Sequence, residues 1–271
     1  MIVDNVVKTL KEKGMYAKKH FGQNFLIDKN VLNKIVSISN ITKEDTIIEI
    51  GPGMGCLTEY LAINAKKVIC YEIDKDMIAM LNDTLLPFYD NIEIIGLDFL
   101  KADLSLYKDK VENVKVVANL PYYITTPIIF KLLSETKIRQ FTFMVQKEVG
   151  DRLTGKPNTK DYNSLSIYLN YYFDVKKILD VSKNVFIPKP NVDSIVVEFT
   201  KKENEYNLKN KQVFFKLVKD SFTQKRKTLK NNLKNYNLKK VEEVLKKYSF
   251  DLSVRAEQLP IEVFVDISNN L

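Results

Sequence analysis

Apolar positions along the chain fall into short runs separated by stretches of helical spacing. Thr46–Ile50, Lys67–Tyr71, Ile92–Ile95, Val114–Ala118, Phe141–Val145, Tyr171–Val175 and Ser194–Phe199 each read as a short buried strand. Val31–Ser39, Cys56–Asn64, Lys75–Leu86 and Thr126–Leu133 repeat apolar residues at the intervals of a helix with one buried face. Strands alternating with helices predict an α/β fold: a mainly parallel seven-stranded sheet covered on both faces. The last strands lie close together without a full helix between them, so a late antiparallel strand at the sheet edge is expected. After Thr200 the pattern changes. Lys201–Asn210 is polar and reads as a linker, and residues 211–271 read as helical throughout. The expected division is one domain over 1–200, with a basic arm over 1–20, and a small all-helical domain over 201–271.

Charge adds to this division. The chain carries a net charge of +8, and residues 201–271 hold 16 Lys and Arg against 9 Asp and Glu. Nearly all the positive surplus therefore sits in the helical tail. A concentrated basic surface attracts polyanions, phosphate backbones above all; the same surface could also serve solubility alone. No segment reaches the roughly 18 uninterrupted apolar residues of a membrane span, and Met1–Lys13 has no apolar core of a signal peptide. Cys56 and Cys70 form neither a disulfide framework nor a zinc-ligand pattern. The expectation is a cytoplasmic protein with no membrane association and no metal site.

Three of the eight glycines lie in Gly51–Pro52–Gly53–Met54–Gly55, between a buried strand and a helix. Glycine there allows a sharp turn and close approach of a ligand to the backbone. Cys56 occupies the slot of the third glycine in the dinucleotide fingerprint, which counts against a nicotinamide cofactor. Glu49 lies in the strand before the turn. A carboxylate there would repel a pyrophosphate but can face the cationic end of a sulfonium cofactor. Glu72 ends the next strand, where an acid can accept both ribose hydroxyls. Ile73 can pack on an adenine face, and Asp98 ends the third strand, in position to accept from an adenine amine. Any one of these acids alone reads equally as a surface carboxylate; together they predict a nucleoside-type cofactor held by Gly51, Gly53, Glu72, Ile73 and Asp98.

Asn119–Leu120–Pro121–Tyr122 follows the fourth strand. An exocyclic adenine amine is a poor nucleophile, because its lone pair is delocalised into the ring. An amide oxygen and a nearby backbone carbonyl accepting from its hydrogens favour a pyramidal nitrogen with the lone pair free. Pro121 stiffens the turn, and the Tyr122 ring can stack on the base. No strong base is required, so the single histidine, His20, reads as a binding or structural residue of the basic arm. Read alone, the four residues are also a strand ending in a tight turn. Phe186–Ile187–Pro188–Lys189–Pro190 offers a second ring to close the other face of a flipped base, or equally a proline-stiffened connection.

These segments resemble those of the bacterial 16S ribosomal RNA adenine N6,N6-dimethyltransferases. The resemblance is carried by KKHFGQNFLID at 18–28, IIEIGPGMGCLTEYL at 47–61, YEID at 71–74, NLPYYITTPIIFKLL at 119–133, MVQKEVGDRL at 144–153, VFIPKPNVDS at 185–194, FTQKRKTLKNNL at 222–233 and RAEQLP at 255–260. It implies a Rossmann-like class I methyltransferase fold with a small helical C-terminal domain that binds RNA. It implies S-adenosylmethionine as cofactor, and two methyl groups transferred to each of two adjacent adenosines near the 3′ end of 16S rRNA. The partner implied is a small ribosomal subunit precursor, met by a monomeric enzyme. Cofactor contacts are implied for Asn24, Leu26, Gly51, Glu72, Asp98 and Asn119, and target-base contacts for Asn119, Leu120, Tyr122 and Phe186. Leu97 departs from the small residue many relatives carry before the aspartate, which implies a local packing adjustment. Two other readings remain: the 23S rRNA adenine methyltransferases of macrolide resistance, which tend to carry isoleucine where Leu120 stands, and a non-catalytic ribosome assembly factor.

Overall fold

The computed structural model describes residues 2–4, 8, 23–107, 113–121, 124–203 and 206–271. The arm at 5–20, other than Lys8, and with it His20, lies outside the described residues, as does Tyr122.

The first compact unit spans Met1–Gly150 and Lys176–Thr200. Its sheet is built from β2 (Thr46–Ile50), β3 (Lys67–Tyr71), β4 (Ile92–Ile95), β5 (Val114–Asn119), β6 (Gln140–Gln146), β7 (Phe173–Val181) and β9 (Ser194–Lys201), in the order β4-β3-β2-β5-β6-β9-β7. The pairs β4-β3, β3-β2, β2-β5 and β5-β6 are parallel, and β6-β9 is antiparallel. The expected seven-stranded, mainly parallel sheet with a late antiparallel strand is therefore the observed one. Strands buried on both faces need apolar side chains at successive positions, and Ile47–Ile50 and Val68–Tyr71 are buried without a break. Helices α1 (Lys29–Ile38), α2 (Cys56–Asn64), α3 (Lys75–Thr84) and α4 (Thr125–Glu135) cover the sheet. α1 starts two residues before the periodicity suggests, because the Asp28 carboxylate accepts from the backbone N–H groups of Asn30 and Val31. From β2 the chain passes outward to β3 on one side, then returns to place β5 on the other. The carboxyl ends of β2 and β5 thus flank the switch point of the sheet, where open α/β folds hold ligands.

A separate two-stranded ladder pairs β1 (Phe25–Leu26) with β8 (Phe186–Ile187), setting Phe25 opposite Ile187 and Leu26 opposite Phe186.

The second unit spans Asp151–Val175 and Lys201–Leu271. The division expected at residue 200 is therefore present, but Asp151–Val175, expected in the first domain, joins the tail. Helix α6 (Ser164–Tyr172), which follows the short α5 (Lys147–Leu153), is the reason. It presents Ile167 and Tyr171 to Phe214, Leu217 and Phe264, which lie on α7 (Lys211–Ser221) and α10 (Ile261–Asn270). Burying those side chains outweighs their place in the sequence. Residues 171 and 172, expected to open a strand, instead close α6, and β7 begins at Phe173. The short α8 (Leu229–Asn232) and the amphipathic α9 (Leu238–Lys247) complete the tail. The polar segment before α7 is packed rather than loose: Tyr206 and Leu208 lie against the helical core, and the Lys209 N–H donates to the Asn269 side chain at 2.9 Å. Among the described residues no helix is long and apolar enough to cross a membrane.

Candidate cofactor and target site

The turn after β2 is held by the Gly51 N–H donating to the Tyr71 carbonyl at 2.9 Å and the Gly55 N–H donating to the Pro52 carbonyl at 2.9 Å. Two of its glycines are required by space as well as by conformation. Gly55, at φ +82°, precedes α2, and a Cβ there would stand 2.6 Å from a Leu85 methyl and 2.7 Å from a Leu81 methyl. Gly53, at φ +56°, would bring a Cβ to 3.0 Å from the Phe25 ring. The backbone is thus bare where β1 folds over it.

The three acids named from the sequence line one pocket with this turn, at the carboxyl ends of β2, β3 and β4. Glu72 is buried, and its carboxylate is held from both sides. Oε2 accepts from the Gly53 N–H at 3.0 Å, and Oε1 accepts from the N–H groups of Ile73 at 2.8 Å and Asp74 at 3.0 Å. Burial raises its pKa, and the three backbone donors pull it back. Asp98 accepts from the Leu100 N–H at 2.9 Å, which fixes its side chain at the pocket wall. Glu49 is more deeply enclosed, at 2% exposure. The Cys70 thiol donates to its Oε2 at 3.6 Å, and burial pushes its pKa up to about 8. Ile73 remains 43% exposed beside these acids, and Leu97 38%. Apolar side chains left open at a pocket wall suit the face of a planar base. Leu97, expected only to adjust local packing, lines the pocket instead; its place directly before Asp98 at a strand exit was the available signal.

Asn119 ends β5, and with Leu120 and Pro121 it lines the same pocket from the other side of the switch point. The Asn119 Nδ2 donates to the Asn24 carbonyl at 3.2 Å. Leu120 is buried and its N–H donates to the Met144 carbonyl at 3.1 Å, which anchors the turn to β6. Asn24 and Leu26 line the pocket together with Gln23, whose Nε2 donates to Asp74 Oδ2 at 2.8 Å. Phe186 departs from expectation. It is 3% exposed, packs in the core with Phe25 and Leu26, and does not line the pocket. Pairing with Leu26 across β1 and β8 turns its ring inward, where burial of the ring is favourable.

The crevice has a buried acid held by three backbone donors, a second acid at the next strand end, apolar walls for a base, and a glycine turn with little room for a Cβ at Gly53. These features fit a nucleoside cofactor, and the proline-stiffened Asn119 turn beside them defines a group-transfer enzyme of the Rossmann-like class. The sequence matches the family described as ribosomal RNA adenine dimethylase over residues 14–271. It is 48% identical to the ribosomal RNA small subunit methyltransferase A of Bacillus cytotoxicus, covering 98% of this chain and 96% of that protein. It is also 48% identical to the protein of that name from Bacillus pumilus, over 97% and 94%. A dimethyladenosine transferase from Plasmodium falciparum superposes with a TM-score of 0.75 at 28% identity, covering 90% of this chain and 95% of that one. The 23S rRNA methyltransferase ErmE superposes with a TM-score of 0.75 at 25% identity, over 91% and 99%. The chain belongs to the ribosomal RNA adenine dimethylase family, and its cofactor is S-adenosylmethionine.

Proposed function

We propose that the chain dimethylates the N6 amines of two adjacent adenosines near the 3′ end of 16S rRNA, acting in the cytoplasm as a monomer on small ribosomal subunit precursors. The observation that carries the catalytic part is Asn119, presented at the end of β5 into the pocket that holds Glu72 and Asp98. The choice of small-subunit RNA is supported by full-length identity to relatives named for that subunit.

Glu72 would hold the cofactor's ribose, Asp98 its adenine amine, Ile73 its base face, and Gly51 and Gly53 its approach to the backbone. Asn24 and Leu26 would cover it from β1. When bound, S-adenosylmethionine supplies a methyl group on a positively charged sulfur. Glu49, deeply enclosed in the same pocket, would face that positive charge, which would draw the buried carboxyl toward its ionised form. The Asn119 oxygen would accept a hydrogen bond from the target N6, which keeps the lone pair of that nitrogen out of the ring. Leu120 and Pro121 hold that oxygen in place by anchoring the turn. Tyr122 takes the stacking role on sequence grounds. For Phe186 the reading changes: buried against β1, it supports the loop that follows it instead of offering an exposed ring. The basic surplus of residues 201–271 supports RNA contact through the second unit, where Lys225, Arg226 and Lys227 are exposed.

The likeness to ErmE keeps large-subunit RNA as a second reading. Incubating the enzyme with labelled cofactor and purified small or large subunit precursors, then mapping modified positions by mass, separates the two. Two dimethylated adjacent adenosines near the 3′ end of 16S rRNA are expected. Label only in 23S rRNA would overturn the choice of substrate. Asn119→Ala is expected to bind cofactor and lose transfer, and a normal rate in that variant would sink the role of the amide.

A further inference from the structure

Two features of the pocket bear on how the Asn119 amide is set. An amide presents an oxygen on one side and an NH2 on the other, and the two differ by a rotation of the side chain. Only the oxygen can accept from an adenine amine; the NH2 would face it donor to donor. In this structure the NH2 side is committed. Nδ2 lies 3.2 Å from the backbone carbonyl of Asn24, 95 residues earlier in the chain. A carbonyl accepts and cannot donate, so it holds the amide with Oδ1 turned the other way.

The carbonyl is itself held on several sides. Gln23 is tied to Asp74, directly after the Glu72 loop. Phe25 packs where a Gly53 side chain would be, 3.0 Å from the position of its Cβ. Phe25 and Leu26 pair with Ile187 and Phe186, and the Ile27 N–H donates to the Val185 carbonyl at 3.0 Å. Residues 23–27 thus form a strap across the glycine turn, fastened at both ends, with one carbonyl directed at the amide.

We propose that Asn24 is a positioning residue: its backbone carbonyl selects which side of the Asn119 amide meets the target amine. The proposal rests on the reading that Asn119 accepts from the target N6. The strap therefore has two tasks. It covers the cofactor, and it sets the polarity of the group that prepares the nucleophile. Such orientation by a fixed partner is worth more than the bond itself, because a misaligned amide repels the amine it should hold.

Replacing Asn119 with aspartate keeps the shape and changes the polarity. An ionised aspartate has an oxygen on both sides, and one would face the Asn24 carbonyl, acceptor against acceptor. A protonated aspartate donates from one oxygen to Asn24 and keeps the other as an acceptor for the target. Activity of Asn119→Asp should therefore return as pH falls. The other titratable groups of the pocket are Glu49 on β2, Tyr71 and Glu72 at the end of β3, Asp98 after β4 and Cys56 on α2, with Asp74 beyond Glu72 on Gln23. All are common to both enzymes, so the ratio of mutant to wild-type kcat is the quantity to follow. The ratio is expected to rise about tenfold for each unit of pH lowered while the carboxyl is ionised. A flat ratio, with Asn119→Ala inactive, would overturn the role of the Asn24 carbonyl and leave the amide reading standing. Wild-type rates in both Asn119→Asp and Asn119→Ala at every pH would remove the amide reading itself. A second variant acts on the strap alone. Phe25→Ala should lower kcat by about tenfold or more with the KM for RNA unchanged, and Phe25→Leu should recover most of it. An unchanged kcat in Phe25→Ala would also overturn the proposal.

Discussion

Glu72 offers a test in which a nearly isosteric change should behave almost like a deletion. Both of its oxygens are engaged as acceptors, Oε2 by the Gly53 N–H and Oε1 by those of Ile73 and Asp74. Glutamine at this position has one oxygen and one NH2, so it must turn a donor toward at least one of those N–H groups. Glu72→Ala removes all three acceptor contacts and the ribose contacts with them. Hydrogen bonds to a charged group contribute about 1.5–3 kcal/mol each, so losing two to the ribose should raise the Kd for cofactor by roughly a hundredfold to ten-thousandfold. For Glu72→Gln one lost bond and one donor-donor contact should raise it by about tenfold or more. Isothermal titration calorimetry with S-adenosylmethionine and with its demethylated product measures this, with circular dichroism melts to confirm folding. Both ligands should weaken in parallel, because they share the nucleoside that Glu72 holds. Wild-type affinity in Glu72→Gln would refute the assignment, since no rotamer of an amide satisfies the observed donors. Loss of affinity for one ligand alone would place Glu72 near the sulfur instead of the ribose.

Glu49 gives a pH dependence. Its pKa is pushed up to about 8 by burial, so the folded protein holds a proton there that the unfolded chain gives up at an ordinary carboxyl value. The stability it contributes is fully present below the unfolded pKa and is lost as pH rises through about 8, a decline that Glu49→Gln should flatten in thermal melts. An equal decline in that variant would show that another group is responsible. Gly55→Ala should lower the melting temperature, because a left-handed alanine costs about 1–2 kcal/mol and overpacking against Leu81 and Leu85 about 1–3 more; an unchanged melt would refute the tight approach of α3 to the turn. Replacing Lys225, Arg226 and Lys227 by glutamine should weaken RNA binding and reduce the slope of log affinity against log salt by about two to three. An unchanged slope would favour a plain solvated surface.

The parts of this molecule that could be read from sequence share one property: they depend on neighbours along the chain. β2, β3 and β4 match their expected bounds because each is a short, mostly apolar run rich in branched residues, and glycines follow β2 and β4. The three acids were legible because a parallel sheet sets successive strand ends side by side, so sequence order becomes spatial order. Tyr171 and Tyr172 read as the start of a strand because their aromatic side chains, followed by Phe173 and Val175, look like strand, whereas they close a helix over Ser164–Tyr172. The helix is decided by the Asn163 side chain accepting from the N–H groups of Leu165 and Ser166, with the Ser166 hydroxyl answering the Asn163 N–H. β1 and β8 are two residues each, too short to show any period. The inward turn of Phe186 follows from pairing with Leu26, a partner no local pattern announces. The grouping of Asp151–Val175 with the tail was hidden for the same reason, since Tyr171 packs on Tyr206, Phe214 and Phe215, all beyond residue 200.

The pairing of β1 with β8 also has a meaning in time. A chain being synthesised exposes the glycine turn, the strand-end acids and Asn119 well before Phe186 and Ile187 exist. At about 5–20 residues per second, the interval between Asn119 and Phe186 lasts roughly 3 to 13 seconds. Until then the strap can reach Asp74 through Gln23 and Gly53 through Phe25, but it lacks its partner strand. The ladder can close only after Phe186 and Ile187 have been made, so the fastening of Phe25 and Leu26 follows the order of translation.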